Sequence, residues 1–268
     1  MGRRFTFYFL LFTLYSLLFT IFAGCSKPTY PKDKLSEAAQ KILKKEYDLN
    51  GSVKLVGSTL YLEVNLPELV STEKDLPKKI FKKLEGAILT IVRISLSSDA
   101  NIATLVTIAR ADDYDFCVRI IQRLEDIKHF LYLKISKADY EDRLILEILS
   151  YSKLDYRDIT LKEFVARLIV SQYNMLLKTN PFLSGLLNNV SLEFSNLTDD
   201  FLVITANSLR TDISTAIKKF FEGILTKSYI GTLKKYSVLN FPKSIKIVDK
   251  NRVSVSVIPV DKDSGKGK

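Results

Sequence analysis

The feature that most restricts the fold of this chain is a hydrophobic period that switches repeatedly between two and about three and a half residues. Residues 52–66 alternate, with Val53, Leu55, Leu60, Leu62 and Val64 placed around Gly57-Ser58. A strand presents one face at every second residue, and glycine with serine favours a tight turn, so this stretch predicts a β-hairpin. A second hairpin is predicted from 102–109 and 116–122 around Ala111-Asp112-Asp113-Tyr114, although Phe116, Ile120, Leu124 and Ile127 also satisfy helical spacing. A third is predicted from 190–196 and 201–207 around Thr198-Asp199-Asp200, and a fourth from 244–248 and 253–258 around Asp249-Lys250-Asn251. Helical spacing separates them: Leu35, Ala39, Ile42 and Leu43; Ile80, Leu84, Ile88, Ile91 and Ile94; Phe164, Leu168, Tyr173 and Leu177; Ile213, Ile217, Phe220 and Ile224.

Hairpins chained by helices favour an α+β fold, helices alternating with antiparallel β-hairpins, over a parallel doubly wound sheet. Both halves read helix, hairpin, helix, hairpin, which suggests a duplicated unit, although the only local echo is Ala111-Asp112-Asp113-Tyr114 against Thr198-Asp199-Asp200-Phe201. Asp75 and Pro77 suit the start of the second helix, and Thr160 with Glu163 forms a capping box for the long helix that Asn180-Pro181 ends. Residues 124–149 read as a helical insert with a start at Ser136 and Asp139. Polar residues 153–159 are the expected internal joint. The organisation expected is a first α+β half over 33–152 with its insert, a second over 160–259, and a disordered tail over 260–268.

The first 25 residues carry a different signal. Arg3 and Arg4 are followed by an uncharged run from Phe5 to Ala23, and the run closes on Ile21-Phe22-Ala23-Gly24-Cys25. A basic start, an apolar stretch and small residues before a processing site make a secretory signal. The segment resembles a bacterial lipoprotein signal peptide, whose lipobox places small residues at the two positions before an invariant cysteine. Ala23 and Gly24 fit that pattern and Ile21 is acceptable, while Phe22 stands where leucine is usual. The resemblance implies removal of residues 1–24 and lipidation of Cys25 by acyl chains such as palmitate, with 25–32 as a tether containing Pro28 and Pro31. Ser26, where aspartate would favour inner-membrane retention, implies the outer membrane, facing the periplasm, in a bacterium that has one. A second reading is an uncleaved anchor, since Phe5–Gly24 has the ~20 residues that span a bilayer. A third is coincidence in a eukaryotic chain, which would make Asn189-Val190-Ser191 and Asn196-Leu197-Thr198 glycosylation sites.

Composition narrows the chemistry. The 268 residues contain 1 His, 2 Cys and no Trp, so most metal and nucleophile chemistries lack ligands. His129, the sole imidazole, lies in a charged helical stretch and reads as a surface or half-buried residue. Cys117 sits among Phe116, Val118 and Ile120 and reads as core. Asp112, Asp113 and Asp115 lack calcium-loop spacing, an ordinary zinc set cannot be assembled, and no glycine-rich phosphate loop appears. No cofactor, metal or catalytic residue is expected.

Lys and Arg number 40 against 30 Asp and Glu, and loss of Arg3 and Arg4 takes the 40 to 38 and leaves +8. Outside the cytoplasm that charge meets lipid headgroups or anionic envelope polymers rather than nucleic acid. Lys78, Lys79, Lys82 and Lys83 are the expected anionic-surface contacts. The expected function is a non-enzymatic binding or scaffolding lipoprotein of the cell envelope. A lipid or amphiphile carrier and an envelope polysaccharide hydrolase are the alternatives.

Overall fold

A computed structural model of the protein describes residues 29–69, 78–111, 114–179, 190–207, 223, 226, 229–238, 240–248 and 254–259. A single 3-10 turn leads into α1 (Leu35–Tyr47), and the hairpin β1 (Gly51–Val56) and β2 (Thr59–Asn65) follows. Helix α2 (Lys78–Leu96) then crosses over to β3 (Thr104–Arg110) and β4 (Cys117–Arg123). Two short helices, α3 (Leu124–Leu131) and α4 (Lys137–Glu141), precede β5 (Ile145–Leu149). The long helix α5 (Leu161–Thr179) comes next, then the hairpin β6 (Ser191–Leu197) and β7 (Phe201–Asn207). Helical residues 229–236, α6, lead to β8 (Ser244–Val248) and β9 (Ser254–Pro259).

The strands form a five-stranded sheet in the order β1-β2-β3-β4-β5 and a four-stranded sheet in the order β6-β7-β8-β9. In the first, β1 pairs antiparallel with β2, β2 parallel with β3, and β3 antiparallel with β4. The second repeats this sequence of pairings, antiparallel, parallel, antiparallel. The fold is therefore α+β, with one helix-hairpin-helix-hairpin topology used twice and β5 added to the first copy. The central parallel pair follows from the crossover: a helix between two hairpins returns the chain to the end where the preceding strand began.

Each expected hairpin is present to within a residue or two. Gly57 makes the first turn because its φ of 59° lies in the left-handed region, and a Cβ there would sit 2.4 Å from the Asp158 carboxyl carbon. The expected helical stretch from 124 to 149 is corrected at its end, where Ile145–Leu149 is a strand paired antiparallel with β4. The capping box also differs from expectation. The Glu163 backbone N–H donates to Thr160 Oγ1 at 3.3 Å, but the Glu163 carboxylate turns to Arg157 and Arg167 at 2.8 and 2.9 Å. The starts expected at Asp75 and Pro77, the helix through Ile213 and Ile217, the tips at Asp112-Asp113 and 249–251, and the tail 260–268 lie outside the described residues.

Two cores result. Helices α1 and α2 cover one face of the first sheet, burying Leu35, Leu43, Ile91 and Ile94 against Leu60, Leu62 and Leu105. Gly86 lets α2 close on α1, since a Cβ there would meet the Tyr47 ring at 2.3 Å. The opposite face, with Tyr61, Val106, Ile108 and Ile121, joins α5 and the second sheet in one continuous core. Seven consecutive α5 residues, Phe164–Val170, are buried. A helix buried on every side must have partners on every side, and α5 has a sheet on each.

Candidate functional site

Residues 150–159, which contain the expected joint, run back along β2 on the face opposite α1 and α2. Tyr151 and Tyr156 both donate their hydroxyls to Glu63, the first at 2.9 Å, and Glu63 also meets Arg110 at 2.7 Å. Tyr61 donates to the Arg157 carbonyl at 2.5 Å. Asp158 accepts from Ser58 N–H at 2.9 Å and from the Ser58 and Thr59 hydroxyls at 3.0 Å. Burial opposes the Asp158 charge, but these donors outweigh it and hold the carboxyl below its ordinary range. The polarity of this segment thus serves hydrogen bonds to β2.

A chain of charges joins the two copies of the unit. Arg119 on β4 meets Glu147 on β5 at 2.5 Å, Glu147 meets Arg167 on α5 at 2.9 Å, and Arg167 meets Glu163 at 2.9 Å. Arg167 also lies over the Phe194 ring on β6, 4.6 Å from its centre. Burial works against the Arg167 charge, and Glu147 and Glu163 more than offset it, so its pKa is raised. On the other side of the insert, buried Asp126 accepts from Arg143 and from Tyr236 Oη of α6, the latter at 2.7 Å. These groups face one another across packed elements, which is an architectural use of charge.

Sites expected from sequence fall in several places. Cys25 and Ser26 lie outside the described residues. Lys78, Lys79, Lys82 and Lys83 all fall in the first turns of α2, where Lys82 is exposed and Lys83 half-buried. His129 is half-buried on α3, 3.7 Å from Glu125. Cys117 is buried on β4, and burial pushes its thiol pKa up. Asp115 accepts from the Ser150 hydroxyl and from Ser152 N–H, and those bonds hold its pKa down. Among the described residues no three His, Cys, Asp or Glu side chains gather closely enough to hold a metal ion.

The surface that sequence reasoning missed is the open edge of the first sheet. Two cross-strand rows run outward over the α1/α2 face, Leu62-Thr107-Ile120-Leu146 and Val64-Ala109-Val118-Ile148. Burial falls along both. The β2 and β3 members are buried, the β4 members half-buried, and Leu146 and Ile148 are 60% and 69% exposed. Among the described residues, the helices that cover this face stop short of β5, which is also an edge strand. Natural edge strands are commonly guarded by lysine, proline or a bulge, and Ile-Leu-Glu-Ile-Leu has none. Its one charge, Glu147, points to the opposite face and is tied to Arg119 and Arg167.

No family model matches the chain, and neither a curated protein nor a solved structure matches it. Among the described residues no helix is long and apolar enough to cross a membrane.

Proposed function

We propose that the protein is a membrane-anchored lipoprotein of the cell envelope that acts as a non-enzymatic binding or scaffolding component in envelope assembly or secretion. The observation that carries the binding role is the open β5 edge, where Leu146 and Ile148 extend an apolar sheet face into solvent. An extended segment of an envelope protein fits such an edge, because backbone groups supply pairing and alternate side chains supply the apolar contact. The anchor is supported by Ala23-Gly24-Cys25 at the end of an uncharged run behind Arg3 and Arg4.

Photo-crosslinking in intact cells tests this role. A crosslinker in place of Ile148 is expected to give adducts with another envelope protein, and one in place of exposed Val257 on β9 is expected to give none of them. Leu146→Lys should remove the Ile148 adducts while leaving the fold intact. Identical adduct patterns from both positions, or no adduct from position 148, would refute the role.

A further inference from the structure

Residues 124–144 end in an arrangement that the core does not use. Helix α3 closes with the Lys134 N–H donating to the His129 carbonyl at 2.8 Å and the Leu133 N–H to the Phe130 carbonyl at 3.0 Å. This double closure places one residue in the left-handed region, and that position usually holds glycine because a Cβ is crowded there. Here it holds Leu133, with φ 56°. The same leucine is 88% exposed, its neighbour Tyr132 is 72% exposed and Leu131 54%. Three consecutive apolar or aromatic side chains face water, one of them on a strained backbone, and strain that persists at an exposed site points to a use.

Charge and position identify what covers them. From Lys128 to Lys137 there are three lysines and no acid. Glu125 and Asp139 lie outside this stretch, facing His129 and capping α4 with Ser136, and among the described residues only Lys137 of the three approaches an acid, Glu141 at 3.6 Å. The insert leaves and rejoins the first sheet at one end. The Leu124 N–H donates to the Ala103 carbonyl at 3.0 Å, just before β3, and β5 starts at Ile145 opposite Ile121. The chain comes in from its amino-terminal side at that same end, where the Tyr30 N–H donates to the Ser97 carbonyl at 3.1 Å and Tyr30 bridges Ser98. Thr29 is four residues beyond Cys25, a reach of at most about 14 Å.

The geometry points to residues 131–133 as the part of the folded body that enters the headgroup region of the bilayer holding the Cys25 acyl chains, with Lys128 and Lys134 against anionic headgroups. This rests on Cys25 being the anchor. A tyrosine ring suits the boundary between headgroup and acyl chain, and lysines reach from apolar surroundings to phosphate. The lysines also gain from the negative surface potential within a Debye length of ~8 Å. Such contact would turn a flexible tether into a fixed orientation. Lys82, on the half of α2 away from Tyr30, would then face away from that leaflet.

The absence of tryptophan supplies a clean reporter. Residues 25–268 retain every described element, and because Cys117 is buried the Cys25 thiol can be coupled to maleimide lipid, which imposes the anchor whether or not cells attach one. Tyr132→Trp is compared with Tyr114→Trp, at the opposite end of the first sheet, on phosphatidylcholine vesicles containing about a third phosphatidylglycerol. Emission from the Tyr132→Trp protein is expected to shift to the blue and to be quenched at least about twofold by brominated lipid, with no change for Tyr114→Trp. Adding Leu133→Lys should abolish the shift, and pure phosphatidylcholine should weaken it. Equal emission and quenching from both positions, or a water-like signal from position 132, would overturn the contact. An equal shift on both vesicle types would overturn the choice of an anionic surface. Failure of acyl labelling at Cys25 in cells would count against the anchor alone, since the coupled protein is read independently of it.

Discussion

The two copies of the helix-hairpin-helix-hairpin unit share strand order and pairing and differ in how many faces of their sheets are covered. In the first, β2 and β3 are buried nearly throughout, because α1 and α2 lie on one side and residues 150–159 with α5 on the other. In the second, β7 alternates between buried Leu202, Ile204 and Ala206 and half-buried Phe201, Val203, Thr205 and Asn207, because α5 and α6 cover only one face. The same topology thus yields an inner sheet and an outer one. The helix that opens the second unit is also the second cover of the first, and this accounts for its buried run from Phe164 to Val170.

The largest expected effect on this relation comes from the shared helix. Phe164→Ala removes a fully buried ring that meets Tyr236 edge-on at 5.7 Å, and should cost about 3–5 kcal/mol. Urea unfolding followed by near- and far-UV signals should move as a single transition, and loss of one sheet alone would show that the units do not share a core. Asp126→Ala leaves the Arg143 charge and the Tyr236 hydroxyl without their acceptor between the units and should cost about 3 kcal/mol. Lys137→Ala, which removes an exposed pair with Glu141, should change stability by no more than about 0.5 kcal/mol. Gly57→Ala tests the first unit by itself. A Cβ on that left-handed residue would press on Asp158, and a loss of about 2 kcal/mol is expected in the same assay.

The smallest effect is a dependence on alkaline pH. Burial and then the Asp126 charge raise the pKa of Tyr236, burial and then the bond to Glu63 raise that of Tyr156, and Tyr140 is pushed up to about 12 by burial and Asp126. Folded values above unfolded ones mean that this contribution is complete below the unfolded value of about 10 and is lost as pH rises through the folded values. Melting temperature should therefore fall from about pH 10 upward, and Tyr236→Phe should flatten the fall. An unchanged slope in that variant would remove Tyr236 from the coupling between the units.

Much of this architecture is legible in the residues. The outer sheet shows its alternation plainly, since water on one face preserves the polar half of the pattern. The turns show through Gly57-Ser58 and Thr198-Asp199-Asp200. β5 is misread as helix because Leu144, Ile145, Ile148 and Leu149 satisfy helical spacing as well as the strand they belong to, and only pairing with β4 decides between them. The charge joint is hidden for another reason. Glu147 finds Arg119 and Arg167, and Asp126 finds Tyr236, over separations of 20 to 110 residues that no local pattern encodes. The exposure of Leu146 and Ile148 is equally invisible, since it depends on where α2 stops covering the sheet.

The measurement that bears most directly on the proposed role is growth with a clickable palmitate analogue, followed by mass spectrometry of the chain recovered from membranes. The wild-type chain should carry label and begin at acylated Cys25, and Cys25→Ser should carry none. An unlabelled wild-type chain that retains residues 1–24 would contradict the anchor and, with it, the placement of this protein in the envelope as a lipoprotein.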